Sequence, residues 1–222
     1  MVQAVFQHGR LIASHASLRV LEGADGGAAI KESIDHASIR GDLEHLGTAL
    51  CWNGALSLDA ILSAQGPFYI DINPRLVEPM NAQLSGVRLV DGLLSVASGG
   101  IAAVQPVGSP HVRTHQGLLV LLGAARTGRR RDVLRAAFQL SRHAGPFESS
   151  TEELTSVAGD WRAWIPVGVV GGVVLANPRL WRSFSRSAVS HYSLTIGGWR
   201  SLMALGNGHE PCPADLCGRL ET

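Results

Sequence analysis

Tyr69-Ile70-Asp71-Ile72-Asn73-Pro74-Arg75-Leu76 is the stretch on which the reading of this 222-residue chain turns. Apolar and polar residues alternate up to Pro74, the pattern of a β-strand that stops there. Side chains at i, i+2 and i+4 of a strand share a face, so Asp71, Asn73 and Arg75 are expected to project together. A carboxylate and an amide carbonyl are hard oxygen ligands of the kind Mg²⁺ takes, and an arginine fork suits a phosphate oxygen. These residue types at this spacing point to a metal–phosphate corner.

Just upstream, Gly54-Ala55-Leu56-Ser57-Leu58-Asp59-Ala60-Ile61-Leu62 forms a second strand candidate, joined to the first by Ser63-Ala64-Gln65-Gly66-Pro67. A three-residue hairpin loop at Ala64-Gln65-Gly66, with the glycine left-handed, sets Asp59 opposite Asp71 and Ser57 opposite Asn73. A bulge would shift that register by one residue. Two carboxylates facing each other across a ladder repel, and a divalent cation between them removes the penalty. The plainer alternative turns one of the two to solvent beside a lysine or arginine.

Asp59, a hairpin and then Asp71-x-Asn73-Pro74-Arg75 resemble the C-terminal lobe of the ATP-grasp superfamily, particularly its carboxylate–amine ligase branch. The resemblance covers about residues 1–100. It implies that Asp59, Asp71 and Asn73 hold the Mg²⁺ (Mn²⁺ as a substitute) that bridges the phosphates of ATP, with Asp71 where the family carries glutamate. It also implies catalytic roles for Arg75 and Lys31 in neutralising phosphate charge, and a nucleotide site of Lys31, Arg19, Asp59, Asp71 and Asn73. ATP would activate a small carboxylate substrate as an acyl phosphate for attack by an amine-type nucleophile.

Neighbouring segments fit the same lobe. Val2 to His15 reads as a hairpin turning at Gln7-His8-Gly9-Arg10, and Glu22 to Lys31 as a glycine-rich loop whose N–H groups face a phosphate. The plainer readings are a simple turn for that loop and a solvated strand-end cation for Arg19. In the family, residues after Asn-Pro-Arg shape the substrate pocket, which brings in Glu78 and Asn81; helix capping is the plainer role, favoured for Asn81. The family closes its ATP site between two lobes, and this chain opens on the first hairpin of the C-terminal one. The expectation is a truncated or partial ligase that needs an N-terminal lobe: either the chain is a fragment or a shortened gene product, or another chain supplies that lobe. The alternative is a catalytically inactive remnant that serves as a binding or regulatory module.

The expected fold class is α+β: an antiparallel sheet with flanking helices over residues 1–100, then a mainly α-helical region over 101–222. Helical spacing of apolar residues marks His36–Leu50, Asn81–Ala97, and a helical hairpin over 115–143 interrupted by Arg126-Thr127-Gly128-Arg129-Arg130-Arg131. That arginine run reads as a solvated loop rather than a phosphate or partner surface. Ser149–Glu153 reads as the cap of a short helix. Trp164–Ala176 reads as a buried core helix, with a peripheral membrane or partner-binding segment as the alternative; it is too short to span a bilayer. Ser187–Leu205 reads as a final helix covering it. Net charge of +1 gives no electrostatic case for nucleic acid or an anionic membrane, and neither a signal peptide nor a transmembrane segment is expected. Cys51, Cys212 and Cys217 imply no disulfide framework and suit a reducing, cytoplasmic setting. His209, Cys212 and Cys217 lie in a proline-interrupted tail rather than a metal site.

Overall fold

The first hairpin forms where the alternation of residues 2–15 places it. β1 (Val2–Gln7) and β2 (Arg10–Glu22) pair antiparallel around His8 and Gly9, which both have positive φ, +49° and +84°. Such a two-residue loop matches the right-handed twist of the flanking strands. β3 (Ala28–Ile34) returns along β2, α1 (Ala37–Leu50) crosses behind, β4 (Gly54–Ser63) pairs with β1, and β5 (Gly66–Asn73) pairs with β4. Then follow α2 (Met80–Ser85), α3 (Leu89–Ala97), β6 (Arg113–His115), α4 (Gly117–Ala125), α5 (Arg130–Ser141), β7 (Ser150–Glu152) and α6 (Trp164–Ala176). The computed structural model describes residues 1–154 and 161–184. In it the strands form one open sheet ordered β5-β4-β1-β2-β3-β6-β7, antiparallel except for β6 against β7. The class is α+β, as expected, but β6 and β7 come from beyond residue 100, so both halves of the chain share the sheet.

Each sheet face has its own core. Val2, Ala4, Phe6, Ala16, Leu56 and Leu58 pack beneath α1 against Ile39 and Leu43. On the opposite face Val5, Ile12 and Ala13 pack against Ala82, Val87, Leu89 and Val96 of the α2–α3 segment. α4, α5 and α6 join through Leu121, Leu122, Val133, Val167 and Val174. β5 is the outermost strand at its edge, and Phe68, Ile70 and Ile72 are each more than half exposed.

Several local expectations change. The single helix over Asn81–Ala97 is two, because Gly86 takes the left-handed C-cap of α2 at φ +98°. Ser149–Glu153 caps no helix: Ser150–Glu152 is a strand, aligned parallel to β6. α6 is not buried all round, since Val167 and Val174 are covered while Ile165 and Val169 stay exposed. No helix among the described residues is long and apolar enough to cross a membrane. Cys51, the left-handed C-cap of α1, is disulfide-bonded, contrary to the expectation of unpaired thiols. The expected Ser187–Leu205 helix and the His209, Cys212 and Cys217 tail lie outside the described residues.

α1 can lie close on the first hairpin because residue 47 has no side chain. A Cβ there would stand 2.5 Å from the Phe6 ring and 2.6 Å from the Gly9 carbonyl oxygen. At Gly41 in the same helix a Cβ meets nothing within 4 Å. Gly47→Ala is therefore expected to cost about 1–3 kcal/mol through overpacking, despite alanine's better helix propensity. Gly41→Ala is expected to add about 0.5–1 kcal/mol. Urea unfolding midpoints of the two variants check this, and midpoints moving in the same direction would refute the close-approach account.

Candidate functional site

The geometry around Asp71 depends on one extra residue. The β4–β5 loop is tighter than expected, with Ser63 paired to Gly66 and only Ala64 and Gln65 between them. Carried on unbroken, that register would put Asp59 opposite Ile70 and Asp71 opposite the buried Leu58. Instead the register shifts between Asp59 and Ala60, leaving Ile70 as the unpaired residue. The shift sets Asp59 opposite Asp71 and Ser57 opposite Asn73. A one-residue slip exchanges the two faces of a strand, so this bulge keeps both polar side chains off the α1 core.

The same face runs polar well beyond this corner. Gln3 pairs with both Ser57 and His15, Ser17 with Ser33, and Arg19 with Lys31, which also pairs with Thr114. Cross-strand partners share a face. The sheet thus brings Asp59, Asp71, Asn73, Arg19 and Lys31 to a single side. Arg75 is not aligned with them by the strand, because β5 ends at Asn73 and a bend follows; its backbone N–H donates to the Asn73 carbonyl at 2.8 Å. Arg75 is exposed and forms no ion pair among the described residues.

At the corner, Asn73 Nδ2 donates to Asp71 Oδ2 at 2.8 Å, so the amide nitrogen is engaged and its oxygen remains the atom for a cation. Two carboxylates and an amide oxygen make an oxygen-only donor set at an open strand end. Among the described residues no group of three or more His, Cys, Asp or Glu side chains is placed to hold a metal. A closed all-protein cage is therefore not built here. Mg²⁺ does not require one, since it keeps several waters and takes one or two carboxylates, and the residues present fit that ion.

Lys31 sits differently from a solvent-facing phosphate ligand. It is 2% exposed, with Nζ 2.5 Å from Glu78 and 3.0 Å from Glu153. Glu78 reaches it because the chain after β5 folds back across the polar face. Val77 N–H donates to Gln3 Oε1 at 2.8 Å, and Asn81 Nδ2 donates to Thr114 Oγ1 at 3.0 Å and to the Val112 carbonyl. Glu78 itself has φ +49°, and Gln116 Nε2 donates to it at 2.6 Å. Neither Glu78 nor Asn81 caps a helix; Pro79 occupies the N-cap of α2. Burial pushes the Glu153 carboxyl above its usual range, against the pull of Lys31. The glycine-rich loop is also largely engaged. Gly23 N–H donates to Gly27, Gly27 N–H donates to Ala24, and Arg19 Nη1 donates to the Gly26 carbonyl.

Glu153, Gln116, Thr114 and His15 belong to this face and were not foreseen as a group. Three-residue strands have no readable period, so nothing local marks β6 and β7. The one available signal is indirect: a lysine inside the apolar-flanked strand Ala28–Ile34 has to find carboxylates if it is buried. No protein-family model matches the chain, and no curated protein matches it.

Two consequences for stability can be measured. Removing one partner of a buried ion pair leaves charge uncompensated, so Lys31→Met is expected to cost about 3–5 kcal/mol. Glu153→Gln keeps the Lys31–Glu78 pair, removes one of two carboxylates around one ammonium, and is expected to cost far less. Urea titration of the two variants decides between this and independent surface charges, for which both losses would be small. His15 gives the second consequence. It is buried, and both ring nitrogens lack a well-formed hydrogen bond, although Asn81 stands near enough to favour the protonated ring. Burial, then Lys31, lowers its pKa to about 4 from 6.5. The unfolded chain therefore takes up this proton first as pH falls. The contribution of His15 is fully present above pH 6.5 and lost toward pH 4, by about 3 kcal/mol in all. Stability measured at neutral and mildly acidic pH should fall less steeply in His15→Gln than in the native chain; equal slopes would contradict the assignment.

Proposed function

We propose that this chain supplies the metal- and phosphate-binding side of an ATP-dependent carboxylate–amine ligase of the ATP-grasp type. The observation that carries the reading is the Asp59–Asp71 pairing with Asn73 beside it, held in register by the Ile70 bulge. Like-charged side chains directly opposite each other weaken a sheet. A bulge that maintains such a pairing, rather than hiding it, suits a cation site. Asp59, Asp71 and Asn73 would hold Mg²⁺ or Mn²⁺, which when bound supplies neutralisation of phosphate charge.

The chain's own residues complete the picture. Arg75, exposed just past the strand, meets phosphate oxygens, and Arg19 approaches from the far side of the same face. Lys31, clasped by Glu78 and Glu153, fixes the segment that crosses the face. The reaction is transfer of the ATP γ-phosphoryl group to a small carboxylate, releasing ADP and giving an acyl phosphate, from which an amine then displaces inorganic phosphate to form the amide. An acyl phosphate needs protection from water, so the activity as proposed requires a second lobe over the nucleotide. One observation favours the other reading, a remnant that binds without catalysis. The Lys31 ammonium is already satisfied by two carboxylates, and the Gly23 and Gly27 N–H groups of the glycine loop are spent within it.

Calorimetric titration with ATP separates these readings. Binding is expected only with Mg²⁺ or Mn²⁺ present, weakened about tenfold or more (about 1.4 kcal/mol) by Asp71→Asn and by Arg75→Ala. ATP binding indifferent to the cation or to Asp71→Asn would remove the metal–phosphate assignment. No binding at all, with the second lobe present, leaves the remnant reading.

A further inference from the structure

Beside the Lys31 cluster, on the far side of the segment that crosses the face, lies a cavity of about 250 Å³. Its walls are apolar, chiefly Met80, Leu89, Val90 and Leu154, and Glu78 and Glu153 stand at its polar end. Those two carboxylates share a single cation among the described residues, Lys31; Gln116 and Thr114 donate hydrogen bonds but bring no charge. Two carboxylates therefore face one ammonium, and Glu78, whose side chain is 33% exposed, is the one open to a further donor. A second cation beside it would complete the pairing of both carboxylates.

The opposite side of the cavity has the complementary need. Met80, Val90 and Leu154 are each substantially exposed, while Leu89 forms a buried floor. Methionine adapts to ligands of varied shape. An anionic ligand would meet repulsion at the polar end, and a neutral hydrocarbon would leave the two carboxylates sharing one cation. A cationic head on an apolar body satisfies both ends. A primary ammonium fits best, because its three N–H donors can be shared between two carboxylates that already hold one ammonium.

We propose that this cavity binds a primary amine with an aliphatic or aromatic side, its ammonium on Glu78 and Glu153 and its hydrocarbon against Met80, Leu89, Val90 and Leu154. Binding follows from the cavity alone. Identifying the ligand as the nucleophile of the ligation rests on the function proposed above; Glu78 lies three residues beyond Arg75 in the chain, which places the two sites side by side in sequence.

The test titrates the intact chain, without nucleotide, with n-hexylamine, n-hexanol and hexanoate, followed by calorimetry and by amide NMR shifts. Saturable hexylamine binding is expected, with shifts centred on residues 78–90 and 153–154. Hexanol should bind at least tenfold more weakly, and hexanoate not at all. Glu153→Gln and, separately, the more exposed Glu78→Gln should each weaken hexylamine binding about tenfold. Met80→Gln should weaken hexylamine but leave the much poorer binding of methylamine unchanged. Hexanol binding as tightly as hexylamine, or an amine affinity indifferent to both glutamate variants, would overturn the site. Failure of amine binding alongside intact Mg²⁺-dependent ATP binding rejects this pocket and leaves the ligase reading standing. Amine binding without ATP binding upholds the pocket and rejects only the nucleophile's identity.

Discussion

A buried ammonium organises this molecule. Lys31 projects from a central region of the sheet into a space from which water is nearly excluded, and such a charge is tolerated only where carboxylates come to it. Here they come from two distant stretches of chain, the segment after β5 and the residue just past β7. Meeting that requirement draws the post-strand segment across the polar face, where Gln3 and Asn81 fasten it. It also anchors the two short strands added at the far edge. The β3–β6 ladder and the packing of Ile30 against Val120, Leu140 and Phe147 join the same two halves of the chain.

The sheet separates its two faces by a simple alternation. Residues of one parity on β1, β2 and β4 form the α1 core; those of the other are apolar toward the α2–α3 end and polar toward the other. The open polar end carries the Asp59, Asp71 and Asn73 oxygens and Arg19, and the covered part carries Lys31 and His15. The proposed nucleotide corner and the proposed amine cavity thus lie on either side of one crossing segment, which contributes Arg75 to the first and Glu78 to the second.

Much of this was legible from residue patterns, and the failures have physical causes. The β1–β2 hairpin, α1 and the pairing of Asp59 with Asp71 were readable because alternation, helical spacing and turn residues agreed. The pairing was predicted from a three-residue loop, yet it arises from a two-residue loop plus a bulge, two irregularities that cancel. The Asn81–Ala97 helix broke where Gly86 offered a left-handed stop. Lys31 was read as a phosphate ligand because its burial depends on Glu153, more than a hundred residues away. The shared face of Arg75 was lost because Pro74 ended the strand one step before the alternation rule would have reached it.

The bulge at Ile70 has a consequence outside chemistry. β5 lies at the rim of the sheet with three large apolar side chains in the open, and an unprotected rim of that kind offers its backbone as a template to any extended chain that drifts past. A straight ladder would accept such a visitor along its whole length. The extra residue kinks the rim midway and throws its hydrogen-bonding groups out of step, while the prolines near each end withhold theirs. The irregularity that aims an aspartate also makes this rim a poorer template for edge-to-edge pairing.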